Sequence, residues 1–104
     1  METPVIRVIV IRNKQGLHAR PATMFVKLAQ KFNSRIVLVR ETQRVEAQNI
    51  FDVLTLAAGL GTELVLEAYG DDANEAVEAL ADLVENGFPL EDADDEQTQT
   101  EERE

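Results

Sequence analysis

Val and Ile crowd the segment from Val5 to Arg12 (VIRVIVIR), which predicts a strand. Asn13 to Gly16 (NKQG) is a turn cluster. Beyond it Ala22, Phe25, Val26, Ala29 and Phe32 recur at helical spacing and predict a helix of about three turns. Pro21 suits the first turn of that helix, and Asn33 and Ser34 end it. Thr23, Lys27, Gln30 and Lys31 fall mostly away from the apolar face. Met24 and Leu28 share another side, where they either broaden the buried stripe or enlarge an exposed patch.

Arg35 to Glu41 alternates between charged and aliphatic residues and predicts a second strand. Thr42-Gln43 can close a hairpin into a short third strand, Arg44 to Ala47, although no glycine supports the turn. Asn49 is a good helix cap with Asp52 three positions on, ahead of a short helix from Ile50 to Leu56. Gly59 and Gly61 break the chain, and Thr62 to Tyr69 reads as a fourth strand with Leu64, Leu66 and Ala68 on one side. Asp71 or Asp72 caps a last helix whose apolar face is Ala73, Ala76, Val77, Leu80 and Leu83, and Gly87 stops it. This order implies an α+β fold, a mixed or antiparallel sheet with helices on one face. The other sheet face is expected to meet solvent and to carry Arg7, Arg12, Arg40 and Glu67.

The 104 residues suffice for one domain, expected over residues 1–88. Residues 89–104 hold eight acids and one arginine, net −7, and few apolar side chains, which predicts a disordered acidic tail. Residues 1–88 hold twelve acids and nine bases, net −3, so the formal −10 belongs mainly to the tail. Neither part carries the basic footprint of a general nucleic-acid binder. Aromatics are 5% and tryptophan is absent, so the core must be aliphatic. The absence of cysteine excludes a disulfide scaffold, a thiolate metal site and a cysteine nucleophile. No apolar run approaches the roughly 18 residues of a membrane span, and no basic region precedes the first apolar residues as in a signal peptide. A cytoplasmic location is the expectation.

Chemistry concentrates in Gly16-Leu17-His18-Ala19-Arg20-Pro21-Ala22. His18, the single histidine, falls between the turn and the start of the first helix. First-turn backbone N–H groups there lack intrahelical acceptors, and the helix dipole adds partial positive charge, which together make an anion site. Arg20 adds a guanidinium fork suited to phosphate oxygens. Neutral imidazole is a nucleophile near pH 7, so His18 can take a phosphoryl group that the helix amides of Ala19 and Arg20 and the Arg20 side chain then hold. The bland reading is a surface or capping histidine. One histidine without cysteine cannot make a structural metal site alone, and no cofactor loop or triad motif accompanies it, so a turnover enzyme lacks its parts.

These seven consecutive residues resemble the active-site motif of HPr, the family of histidine-containing phosphocarriers of the bacterial phosphotransferase system. The element order from Val5 to Phe88 agrees with it. The resemblance implies an open-faced β-sandwich, a four-stranded antiparallel sheet with three helices on one face, in the order βαββαβα. It implies that His18 takes phosphate from Enzyme I, charged by phosphoenolpyruvate, and passes it to a IIA protein or a regulator, with Arg20 binding the phosphate. No cofactor, metal, nucleic acid or membrane is implied, and a monomer is expected. Many family members carry a serine at the start of the second helix that a kinase phosphorylates. Asn49 stands there, which keeps the cap and loses the switch.

A short second helix can bury only one side, so Ile50, Phe51 and Leu54 cannot all be core, and Phe51 is the residue expected to face solvent. The resemblance assigns partner docking to Leu17, Thr23, Met24, Lys27, Ile50, Phe51 and Leu54. A second reading is the nitrogen-branch regulatory paralogue of HPr, whose end Asn86-Gly87-Phe88 followed by acids resembles. A third, from another class, is an α+β RNA-binding sheet, disfavoured because Tyr69 is the one aromatic on a predicted strand.

Overall fold

The computed structural model describes residues 3–89. Its elements run β1 (Val5–Val10), α1 (Ala19–Ala29), β2 (Arg35–Arg40), β3 (Gln43–Glu46), α2 (Ile50–Thr55), β4 (Glu63–Tyr69) and α3 (Ala73–Glu85). The four strands form one antiparallel sheet in the order β1-β4-β2-β3. All three helices lie on one face of it, as the apolar periodicity requires. Ile9 of β1, Ile36 and Leu38 of β2, and Leu64, Leu66 and Ala68 of β4 point into the core. There they meet Ala22, Phe25, Val26 and Ala29 of α1, Val53 of α2, and Ala76, Val77 and Leu80 of α3. The α+β fold with an open sheet face is the one expected. Strand and helix ends differ by a residue or two from the sequence pattern.

The composition of the open face departs from expectation. Arg7 shares the helix-side phase of Val5 and Ile9 and reaches Glu85 of α3 at 3.5 Å. Arg40 shares the phase of Ile36 and Leu38, and its Nη1 donates to the carbonyls of Leu56 (2.7 Å) and Ala57 (3.1 Å). Arg12 lies beyond the end of β1. Of the four expected charges only Glu67 stands on the open face. Charge alone was a poor guide because long arginine stems run along apolar surface and surface at its edge. The open face is instead partly apolar: Ile6 and Val8 are 58% and 54% exposed, and Val8 lies in register with Val65, which pairs with Val39. Ion pairs flank this strip, Arg35 with Glu46 at 2.7 Å and Arg44 with Glu67 at 2.9 Å. Tyr69 donates its hydroxyl to Glu67 and lies under the Arg35 guanidinium, 5.8 Å from its ring centre.

Three local features set the loops. The β2–β3 hairpin pairs Arg40 with Gln43, so Glu41 and Thr42 form the turn, one residue earlier than the pattern suggests. Glu41 takes φ +56, the left-handed conformation that tight hairpins demand and that usually selects glycine or asparagine. Asp72 occupies the N-cap position of α3, yet its side chain makes no cap bond. Its carboxylate accepts from the backbone N–H groups of Asn33 (2.8 Å) and Ser34 (2.9 Å) and from the Ser34 hydroxyl. It therefore ties the start of α3 to the start of β2. At the other end of α3, Gly87 (φ +74) donates to Val84 and Phe88 donates to Leu83. This is a Schellman stop, and it carries Phe88 into the core as a plug. The expected tail from residue 90 onward lies outside the described residues.

The hydroxyl of Ser34, followed by the Asn33 and Ser34 amides, holds the Asp72 carboxyl below the usual carboxylate range. A depressed carboxyl stabilises the fold above its unfolded value, about 3.9, and loses that contribution as pH falls through the folded value. Asp72→Asn should therefore lower stability at pH 7 and narrow the gap to wild type as pH drops below about 4. Urea unfolding from pH 7 to pH 2.5 measures this; a gap constant with pH would show that the carboxylate charge is not involved.

Candidate functional site

Two chain segments build the platform under His18. After β1, Asn13 to Gly16 closes a turn in which Gly16 N–H donates to Asn13 at 3.1 Å and the Asn13 side-chain amide donates to the Gly16 carbonyl at 2.8 Å. Leu17 N–H then donates to the Ala58 carbonyl at 2.8 Å, just after α2. Gly16 (φ +75) is pressed so closely on the Ala58–Gly59 backbone that a Cβ would collide with the Ala58 carbonyl oxygen. Arg40 holds this second segment from below through the Leu56 and Ala57 carbonyls. Loop and helix end are thus joined backbone to backbone and the strand through the Arg40 side chain, and a side chain projecting next has a defined direction.

His18 is that side chain. It is the N-cap residue of α1, with extended backbone (φ −80, ψ −169), and its carbonyl accepts the first helical bond from Ala22 N–H at 2.9 Å. Its imidazole makes no side-chain cap bond to the helix and is half-buried. Pro21 has no N–H, so Ala19 and Arg20 supply the first-turn backbone N–H groups that the helical ladder does not use. No acidic residue occupies this first turn to compete with an incoming anion. Arg20 is exposed within the first turn at the same helix end. The His18 imidazole, the positive end of the α1 dipole and the Arg20 side chain thus belong to one helix end. Among the described residues no cluster of His, Asp or Glu could hold a metal ion.

The expected docking residues divide. Leu17 is a core residue, 4% exposed, because its backbone bond to Ala58 draws the loop inward, so it adds almost nothing to the exposed surface. Met24 is half-buried against the core and broadens the apolar stripe of α1, as does Leu28. Thr23 and Lys27 are exposed, and the Thr23 hydroxyl donates back to the Ala19 carbonyl at 2.7 Å. On α2 the buried residue is Val53, with Leu56 just after it. Ile50 packs partly on the core, Leu54 is 36% exposed and Phe51 is 76% exposed. Gln48 donates to the Ala29 carbonyl, while the far end of α2 meets Leu17, so α1 and α2 run antiparallel. Phe51 and Leu54 consequently face solvent on the helix that flanks Thr23 and Lys27. Asn49 caps α2 through bonds from Phe51 N–H (3.0 Å) and Asp52 N–H (3.2 Å), at the end of α2 remote from His18.

The sequence reading missed Arg40 as a positioning residue. The signal was present: Ile36, Leu38 and Arg40 share one strand phase, and an arginine in the core phase at a strand end has to find carbonyls. Gly16→Ala should cost about 2–4 kcal/mol in urea unfolding, from left-handed strain plus the collision with Ala58. A cost below about 0.5 kcal/mol would show that loop and segment are not in contact.

Comparison with known proteins agrees with this geometry. Residues 5–86 match the family model described as the phosphotransferase-system HPr component phosphorylation site. The phosphocarrier protein HPr of Treponema pallidum is 43% identical over 84 residues, covering 81% of this chain and 96% of that protein. The HPr-like protein Crh of Bacillus subtilis is 42% identical over 77 residues, covering 74% of this chain and 91% of its own. The crystal structure of HPr-C-His from Thermoanaerobacter tengcongensis superposes with a TM-score of 0.80 at 42% identity, covering 82% of this chain and 96% of that one. The chain belongs to the HPr family of phosphotransferase-system phosphocarriers.

Proposed function

We propose that His18 accepts a phosphoryl group from an Enzyme I-type donor charged by phosphoenolpyruvate and delivers it to a IIA domain or a regulatory protein. The observation that carries this reading is the position of His18 immediately before the first turn of α1, with Arg20 in that turn. In the accepting step an imidazole nitrogen forms a bond to phosphorus as the donor's bond to the same phosphorus breaks. Delivery is the reverse, with an acceptor side chain attacking. The backbone N–H groups of Ala19 and Arg20 and the Arg20 guanidinium hold the phosphoryl oxygens in both steps. The chain is altered in each cycle and restored by its partner, so it acts as carrier and not as an independent enzyme.

Partners dock on Thr23, Lys27, Ile50, Phe51 and Leu54 in this reading, with Met24 bordering the patch. An exposed phenylalanine on α2 and an exposed lysine on α1 suit a partner surface that is apolar at its centre and acidic at its rim. No helix among the described residues is long and apolar enough to cross a membrane, which fits a carrier that meets its partners in the cytoplasm. Asn86, Gly87 and Phe88 make the helix stop, so they carry no weight for the nitrogen branch, and donor preference separates the branches.

Incubation with phosphoenolpyruvate and Enzyme I, followed by intact-mass analysis, should add one phosphate that is labile to acid and stable to base. His18→Ala should take none, and a phosphate retained in that variant would place the site elsewhere. Arg20→Ala should slow transfer by about tenfold to a hundredfold, the worth of a charged hydrogen bond to phosphate; an unchanged rate would remove Arg20 from the site. The family's ATP-dependent serine kinase should put no label into His18→Ala, because Asn49 has no hydroxyl to accept it; incorporated label would contradict the loss of that switch.

A further inference from the structure

The charges of this chain are segregated along the sequence. From residue 3 to residue 40 there are eight lysines and arginines and not one aspartate or glutamate. Five of these bases, Arg12, Lys14, Arg20, Lys27 and Lys31, are exposed on the β1–α1 loop, on α1 and just past its end. Arg20, Lys27 and Lys31 are spaced seven and four apart, which puts them on one stripe of the helix surface. The acids of the folded part lie elsewhere: on the hairpin, α2, β4 and α3. The β1–α1 loop and the exposed stripe of α1 are therefore rich in bases around His18, with Asp72 meeting Asn33 and Ser34 just beyond Lys31.

The acidic segment starts close to that end. α3 begins where β4 ends, beside the start of β2, through the Asp72 bonds to Asn33 and Ser34. It packs along β1, β4 and α1 and runs back for about 20 Å, the length of its thirteen residues. Its C-terminus consequently points to the end of the sheet from which residues 11–18 emerge, and the buried Phe88 fixes the exit point there. Residues 90–104, with eight acids against Arg103, follow directly. Extended, they reach up to about 50 Å, more than enough to cross from Pro89 to α1. A tether this short keeps the segment at about millimolar effective concentration.

We propose that the acidic segment 90–104 docks on the basic loop and exposed stripe of α1 of its own chain and occupies the surface that surrounds His18. The contact is electrostatic and lacks a deep apolar pocket, so it is weak, reversible and sensitive to salt. It rests on the proposed phosphoryl chemistry only for its consequence: the segment competes with an incoming phosphoryl group and with acidic partners, and phosphate on His18 repels it.

The test compares the full chain with a full-length variant in which the acids are neutralised: Glu91→Gln, Asp92→Asn, Asp94→Asn, Asp95→Asn, Glu96→Gln, Glu101→Gln, Glu102→Gln and Glu104→Gln. Amide shifts mapped at about 20 mM salt should differ at Arg12, Lys14, Arg20, Lys27 and Lys31 and converge at about 500 mM. Superimposable maps at low salt outside the tail would overturn the proposal. Differences that grow with protein concentration would assign the contact to a second copy and overturn the intramolecular form. Phosphoryl acceptance at low salt should be about twofold or more faster in the neutralised chain, a ratio lost at high salt; equal rates at low salt would overturn the competition. If neither chain takes phosphate, the assignment of His18 fails while the shift map still decides the contact.

Discussion

The bond from Leu17 N–H to the Ala58 carbonyl is the constraint on which the site depends. It joins a loop that leaves the edge strand β1 to the segment that leaves α2, and it does so backbone to backbone. Side-chain contacts of similar strength would leave rotamer freedom; this one fixes chain direction. Gly16 is required because only a residue without Cβ fits against Ala58 at that φ. Leu17 is drawn into the core as a consequence, and the next residue, His18, is aimed outward at the start of α1. The imidazole owes its place to the packing of a glycine and a leucine that do no chemistry.

The sheet supplies the rest of the rigidity. β4 and β2 are its central strands, and they carry most of the aliphatic core toward the helices. Asp72 and the Schellman stop at Gly87 fix the two ends of α3, while Arg40 ties the end of α2 to the end of β2. Phosphoryl transfer asks a carrier for a positioned nucleophile and a prepared anion site, and a helix N-terminus meets the second demand with groups the fold already contains. A domain of this size can therefore be a carrier without an enclosed pocket.

Much of this was legible in the sequence, and the failures have physical causes. Periodicity located every helix and strand, because aliphatic stripes at periods of 3.6 and 2 are long enough in α1, β4 and α3 to be unambiguous. The Asn49 cap and the Gly87 stop were also legible, since each is a local matter of a side-chain acceptor or a left-handed backbone. The pattern leaves the facing of β1 open because Val and Ile occupy both phases of VIRVIVIR. Arg7 and Arg40 were assigned to the open face on charge alone, where their long stems in fact follow the core side. Of the two cap candidates, Asp71 and Asp72, Asp72 takes the N-cap position, but its carboxylate bridges to Asn33 and Ser34, a contact between residues far apart in sequence. Leu17 was expected at the docking surface, and only the Ala58 contact shows why it is buried. At the candidate site the placement of His18 and Arg20 at the start of α1 was legible from residue type and spacing, whereas the support beneath them is tertiary.

The central claim is that the start of α1 holds phosphate on His18 through the backbone N–H groups of Ala19 and Arg20. Scalar coupling across a hydrogen bond, from phosphorus-31 to amide nitrogen-15, reports such contacts in solution. In the phosphorylated chain labelled with nitrogen-15, the account predicts coupling to the Ala19 or Arg20 amides, with downfield shifts of the same protons. A chain fully phosphorylated on His18 whose Ala19 and Arg20 amides show neither coupling nor shift would contradict it.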